Sequence, residues 1–230
     1  SEAASYTMQG QNFAPEIDHQ VAALEQSPEI AFEKDFLRWM LSDGAGAVLL
    51  ESQVPEGQRG LKIEWLDILS YANEMDTCMY AGVRKNDDGS LTGWQQVSRA
   101  ECQQDSLLAV KQDVKQLNAN ITHYTVEKPL RQLQQKYGIK PDDIDHFLPH
   151  YSSAYFRDKL ADGLRAAEFV IPEERWFTNL ATKGNTGSAS MYIMLDEIFR
   201  SGRLRPGEKI LCYVPESGRF AVAYMLLTVV

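Results

Sequence analysis

One stretch, from residue 144 to 190, constrains the fold most, because a proline ends an alternating apolar run and a glycine-rich turn opens a long apolar one. Ile144, His146, Leu148 and His150 fall on alternate positions, as one face of a buried strand does, and Pro149 forbids a helix interior because it lacks an N–H and clashes with the preceding turn. His150 therefore stands at a strand's C-terminal end. Downstream, Gly184-Asn185-Thr186-Gly187-Ser188-Ala189-Ser190 leads into Met191-Tyr192-Ile193-Met194-Leu195-Asp196-Glu197-Ile198-Phe199, an apolar helix. Asn185 and Thr186 are candidate caps at its start, where side-chain oxygens satisfy orphan backbone donors. Ligands of open α/β sheets bind outside the carboxyl edge of the strands, which makes His150 a first site candidate.

Outward from this stretch the pattern is layered. Leu61 to Tyr71 alternates as a strand, and 73–97 reads mostly as loop. Leu107, Leu108, Val110, Val114 and Leu117 recur at helical spacing and predict a helix over 106–118. A second helix is expected over 126–137, with Pro129 tolerated in its first turn and Gly138 ending it. A helix over 154–169 is capped by Ser152 or Ser153, and two closing strands, 209–215 and 219–230, meet at Glu216-Ser217-Gly218. Residues 1–27 read as a loop or lid, 32–40 as a short amphipathic stretch, and 43–51 as a strand entered through a glycine-rich turn. Strand, helix, strand, helix and two strands make a layered α/β domain.

A chain of 230 residues is long enough for a sizeable core. Its net charge of −9 argues against a nucleic-acid surface, which needs clustered Lys and Arg. No apolar run reaches membrane-spanning length and no basic segment leads into an apolar one at the start, so a cytosolic protein is expected, with no membrane partner. Cys78, Cys102 and Cys212 form no CxxC pair and read as free thiols. Cys78 has acidic neighbours in Glu74 and Asp76, a poor setting for a thiolate nucleophile. His146 and His150, four strand residues apart, are separated by about 13 Å, too far to share one ion, and no metal is expected. Lys183-Gly184 is out of order for a phosphate-binding loop, and no GxSxG elbow supports a serine hydrolase.

Pro149-His150 after an apolar strand, then Gly184-Asn185-Thr186-Gly187-Ser188-Ala189-Ser190, resembles the C-terminal half of β-ketoacyl-acyl-carrier-protein synthase III and its thiolase-superfamily relatives. Asp43-Gly44-Ala45-Gly46-Ala47-Val48-Leu49-Leu50 looks like the same family's glycine-rich hairpin strand. The resemblance runs the length of the chain. It implies a thiolase-like α/β fold with a mixed five-stranded sheet flanked by helices. Residues 1–54 would be the end of the N-terminal half and 55–230 the C-terminal domain. It also implies that the chain is a piece of a longer protein, with apolar surface left for its counterpart to cover, and that the assembled enzyme is a homodimer.

The family's chemistry is an acyl transfer to a cysteine followed by decarboxylative Claisen condensation with a malonyl thioester, in fatty-acid or related metabolism. Carried over by motif, His150 and Asn185 would hold the enolate oxygen. The nucleophilic Cys would come from the missing N-terminal portion, leaving this chain inactive alone. Substrates would be thioesters of coenzyme A or of the acyl carrier protein's phosphopantetheine, with no covalently bound cofactor. Arg157, Lys159 and Lys111 are the candidate basic patch for carrier or coenzyme A phosphates. Two departures stand out: Tyr151-Ser152-Ser153 where the family commonly places Asn third after the His, and Glu216-Ser217-Gly218-Arg219-Phe220 where a run of glycines is usual. They leave condensation, acyl transfer and thioester cleavage open. The alternative is a scaffold that keeps the fold without the chemistry, with His150 and Asn185 serving only as a strand-end histidine and a helix cap.

Overall fold

The computed structural model describes Ser5, Leu37 and residues 40–230. The readings of 1–27 and of most of 32–40 lie outside the described residues. In chain order the main elements are β1 (Leu61–Ser70), β2 (Met79–Tyr80), β3 (Val83–Lys85), β4 (Leu91–Gly93), α1 (Arg99–Gln104) and β5 (Lys111–Gln112). Next come α2 (Val114–Thr122), α3 (Lys128–Tyr137), β6 (His146–Pro149), α4 (Tyr155–Ala166), α5 (Leu180–Lys183), α6 (Ala189–Arg200), β7 (Lys209–Glu216) and β8 (Ala221–Val229).

Strand alternation builds a layer on each face of the sheet. Leu211 and Tyr213 of β7 join Phe147, Val222, Tyr224 and Leu226 against Leu130 and Leu133 of α3 and Leu160 and Leu164 of α4. Ile210 and Cys212, one position out of phase, join Leu148, Leu227 and Val229 against Met191, Met194 and Ile198 of α6. The strands β6, β7 and β8 are therefore covered on both faces, while β1 leaves one face exposed. Their order is β1-β8-β7-β6, with β6 and β7 parallel and the other pairs antiparallel.

The sheet is mixed, as expected, and among the described residues it has four strands rather than five. Beside β6 the next position holds one parallel bridge, Phe147 to Trp176, with the Phe177 N–H donating to the Phe147 carbonyl at 2.8 Å. Pro172 and the turn Glu173–Arg175 bring the chain in too late for a ladder. The remaining pairings, β2 with β5 and β3 with β4, are two and three residues long and stand apart as ribbons.

Two helix boundaries also differ. The helix expected over 106–118 starts only at Val114, because the Asp113 side chain caps it by accepting from the Gln116 N–H and Ser106 takes a left-handed φ of 46°. Upstream of that cap Lys111 and Gln112 are strand. The second expected helix is continuous with the first through a π turn at His123–Glu127, followed by Pro129 in the first turn of α3. Pro129 has no N–H for the Thr125 carbonyl four residues back. The Tyr224 hydroxyl donates to that carbonyl instead, at 2.9 Å. Tyr224→Phe should orphan a buried acceptor and cost about 1–3 kcal/mol, read as a lowered urea midpoint at unchanged slope.

The glycine-rich segment 43–51 is not a strand and has no ladder within the described residues. Its glycines serve a close approach: a Cβ on Gly44 would lie 2.6 Å from the Thr186 Cβ, and one on Gly46 would run into Tyr192 of α6. Val48, Leu49 and Leu50 beyond it are exposed, as are Leu66 and Ile68 on β1.

Candidate active site

Because β6 and β7 are parallel, the residues after both strands emerge at one edge. A cavity of about 310 Å³ opens there, and both His150 and Asn185 line it. His150 follows β6, its backbone N–H donating to the Tyr213 carbonyl at 2.8 Å. The residue is 7% exposed, and burial pushes its imidazole down to about 4, so it is neutral near pH 7. The imidazole makes no hydrogen bond among the described residues.

Asn185 is 4% exposed and is fixed from two sides. Its backbone carbonyl accepts from the Ser42 N–H at 2.8 Å in a parallel bridge with Leu41, and its Oδ1 accepts from the Gly187 N–H at 3.2 Å. The amide N–H₂ is left without a partner among the described residues. Neither Asn185 nor Thr186 is the side-chain cap of α6. The helix begins after Ser188, with the Ala189 and Ser190 N–H groups bonded to the Thr186 and Gly187 carbonyls, and the Thr186 hydroxyl is buried without a partner. Backbone turns replace the side-chain cap because Gly187 adopts a φ of 53°.

Leu117, Ile121, Val126, Phe156 and Leu160, from the α2–π–α3 run and from α4, form an apolar wall of the cavity. Lys159 of α4 is half-buried at its rim and lies over the Tyr155 ring at 5.1 Å. Arg157 turns to another side of the helix, paired with Glu173 at 2.6 Å and stacked over Trp176. Lys111 is on β5, donating to the Asp105 carbonyl at 2.6 Å. Of the three basic candidates only Lys159 reaches the cavity. Ser152 and Ser153 cap nothing, since α4 has no side-chain cap and the Ser153 hydroxyl is buried without a partner. His146 lies away from the cavity, its Nε2 2.9 Å from a Glu208 carboxylate oxygen.

No cysteine of the chain is placed as a nucleophile here. Cys78 is fully buried, its Sγ on the Asp113 carbonyl, and burial with the nearby Asp113 charge pushes its thiol up to about 12. Cys212 is buried in the core against α6, where desolvation raises it further, and Cys102 does not line the cavity. Among the described residues no group of three or more His, Cys, Asp or Glu is placed to hold a metal, and no helix is long and apolar enough to cross a membrane.

The family model for the C-terminal part of 3-oxoacyl-[acyl-carrier-protein (ACP)] synthase III matches residues 134–226. That stretch belongs to this family. The synthase III domain so defined carries both His150 and Asn185. The β-ketoacyl-[acyl-carrier-protein] synthase III of Acaryochloris marina is 29% identical over 174 residues, covering 74% of this chain and 46% of the relative. An acetoacetyl CoA synthase of Streptomyces sp. (strain CL190) is 35% identical over 74 residues, 32% of this chain and 21% of its own length. The crystal structure of a synthase III from Thermus thermophilus aligns with a TM-score of 0.54 at 20% identity, over 76% of this chain and 48% of that one, and shows the shared thiolase-like fold. The chain thus spans about half the length of the curated synthase III of Acaryochloris marina, 46% of it.

Gln112, Thr125 and Tyr213 also line the cavity, and the sequence did not single them out; Glu216, marked there only as part of a turn and a departure from the family, lines it too. A two-residue strand carries no periodicity, and the π turn that brings Thr125 inward leaves only Pro129 as its signal.

Proposed function

We propose that the synthase III domain is the enolate-stabilising part of an acyl-thioester condensing enzyme. The reading rests on one observation: two buried side chains with unused N–H donors, one from a neutral His and one from an Asn, share a cavity at the carboxyl edge of a parallel strand pair. Residues 1–54 belong in this reading to the preceding half and 55–230 to the C-terminal domain.

Both donors would meet the carbonyl oxygen of a malonyl thioester. Loss of CO₂ leaves its electron pair as an enolate, whose oxygen the imidazole N–H and amide N–H₂ stabilise without reorganising. The enolate carbon then attacks the carbonyl of an acyl-cysteine; a C–C bond forms, the C–S bond breaks, and the cysteine leaves as thiolate. Neutrality of His150 matters, since the group donates a hydrogen bond without surrendering a proton. The thioesters are carried by coenzyme A or an acyl carrier protein, with Lys159 at the rim to meet their negative charge, and the full protein works as a homodimer.

The nucleophile lies outside this chain in this reading. Labelled acyl-CoA given to the full-length protein should leave a thioester on a Cys upstream of Ser1, while the chain alone stays unlabelled and turns over no malonyl thioester. Label on Cys78, Cys102 or Cys212, or turnover by the chain alone, would refute that division of labour.

A further inference from the structure

Most polar groups around the cavity are already satisfied within the protein. Thr125 donates to the Ile121 carbonyl at 2.6 Å, so the Tyr213 hydroxyl, 2.8 Å away, donates to Thr125. The Glu216 carboxylate accepts from the backbone N–H groups of Gly218 and Arg219. Apart from His150 and Asn185, Gln112 is the buried exception. It is 3% exposed, its Nε2 donates to the Ser217 hydroxyl at 2.9 Å, and the other end of its carboxamide meets no protein group among the described residues. That end opens on the cavity, where a ligand can supply the partner.

Depth decides which part of a ligand arrives there. Ser188 is exposed and Lys159 half-buried, marking the mouth, whereas Gln112, Thr125, Tyr213 and Leu117 are buried and mark the floor. On the condensing-enzyme reading, on which this inference rests, a thioester entering with its carrier outward sends the far end of its acyl group to that floor. The Thr125 and Tyr213 hydroxyls there are engaged with each other and with the Ile121 carbonyl, which leaves this amide as the polar group open to a ligand beside the apolar side chains. The Ser217 hydroxyl both donates and accepts, so the carboxamide can turn either end to the cavity. A ligand hydroxyl, itself donor and acceptor, matches both.

We propose that Gln112 is a specificity-determining residue that selects an acyl group bearing a hydroxyl on an otherwise hydrocarbon chain. Ser217, in the position where a run of glycines is usual, orients it.

The test is binding to the full-length protein of non-hydrolysable analogues of butanoyl-CoA, 3-hydroxybutanoyl-CoA and 4-hydroxybutanoyl-CoA, in which a methylene separates sulfur from carbonyl. Calorimetry should show one hydroxylated analogue bound about tenfold more tightly than the plain one, the worth of one hydrogen bond. Gln112→Met and Gln112→Leu should erase that preference while binding the plain analogue within about twofold, which also shows that both variants are folded. The inference is overturned if the wild type shows no preference, if the variants keep it, or if they lose all three analogues alike. Condensation is assayed separately. A hydroxyl preference in a protein that does not condense would sink the reaction and leave the role of Gln112 standing.

Discussion

His150→Ala in the full-length protein should lower decarboxylation of a malonyl thioester by about 10²–10³-fold, the usual loss when one preorganised donor to a developing oxyanion is removed. Asn185→Ala should lose a comparable factor. The double variant should fall much less than the product, because two donors to one oxygen act as a unit. Acyl transfer to the cysteine should persist in all three, since neither side chain is needed for that step in the proposed division of roles. The two half-reactions can be read apart, by acyl-enzyme formation and by release of CO₂. If acyl loading collapses together with decarboxylation, the pair is holding the fold and not the enolate. If decarboxylation survives, the scaffold reading gains.

The placement of His150 and Asn185 at the ends of their elements was legible because each residue is announced locally. Pro149 ends a strand and leaves His150 at its edge, and Gly184 and Gly187 frame Asn185 at a helix start. What the pattern could not show is how Asn185 is held, because the Ser42 N–H and the Leu41 bridge come from a segment far away in sequence. The same cause misassigned 43–51. Its small and apolar residues look like a strand, yet Gly44 and Gly46 are glycines because α6 passes against them, a tertiary fact with no periodicity. The helix expected over 106–118 failed for another reason. Leu107 and Leu117 are both core residues, but Leu107 lies in the turn after α1 and Leu117 in α2, on opposite sides of the Asp113 cap, so helical spacing arose across a turn. The sheet's two buried faces, by contrast, follow directly from the alternation in β7 and β8 once both phases are apolar.

The stability of the folded protein should carry the mark of His150 as pH falls. An exposed imidazole titrates near 6.5, and burial has lowered this one to about 4. Above pH 6.5 it is neutral in both folded and unfolded chains and contributes no pH dependence. Between 6.5 and 4 the unfolded chain binds a proton that the folded chain refuses, so stability declines as pH falls through that window, by an amount on the order of 3 kcal/mol once both values are passed. Carboxylates titrate lower: Asp67, held below its ordinary value by the hydrogen bond from Lys136, loses its contribution only as pH drops through the usual carboxylate range and below. Most of the His150 window therefore lies above theirs. Urea midpoints measured from pH 8 to 5 should fall in the wild type and fall distinctly less in His150→Gln, which keeps a polar group of similar reach but cannot titrate. Equal slopes in the two proteins would mean that the imidazole gains a proton in the folded state near its ordinary value. A cationic His150 would then be the donor at the enolate, and condensation would rise toward acid instead of holding level from pH 8 to 5.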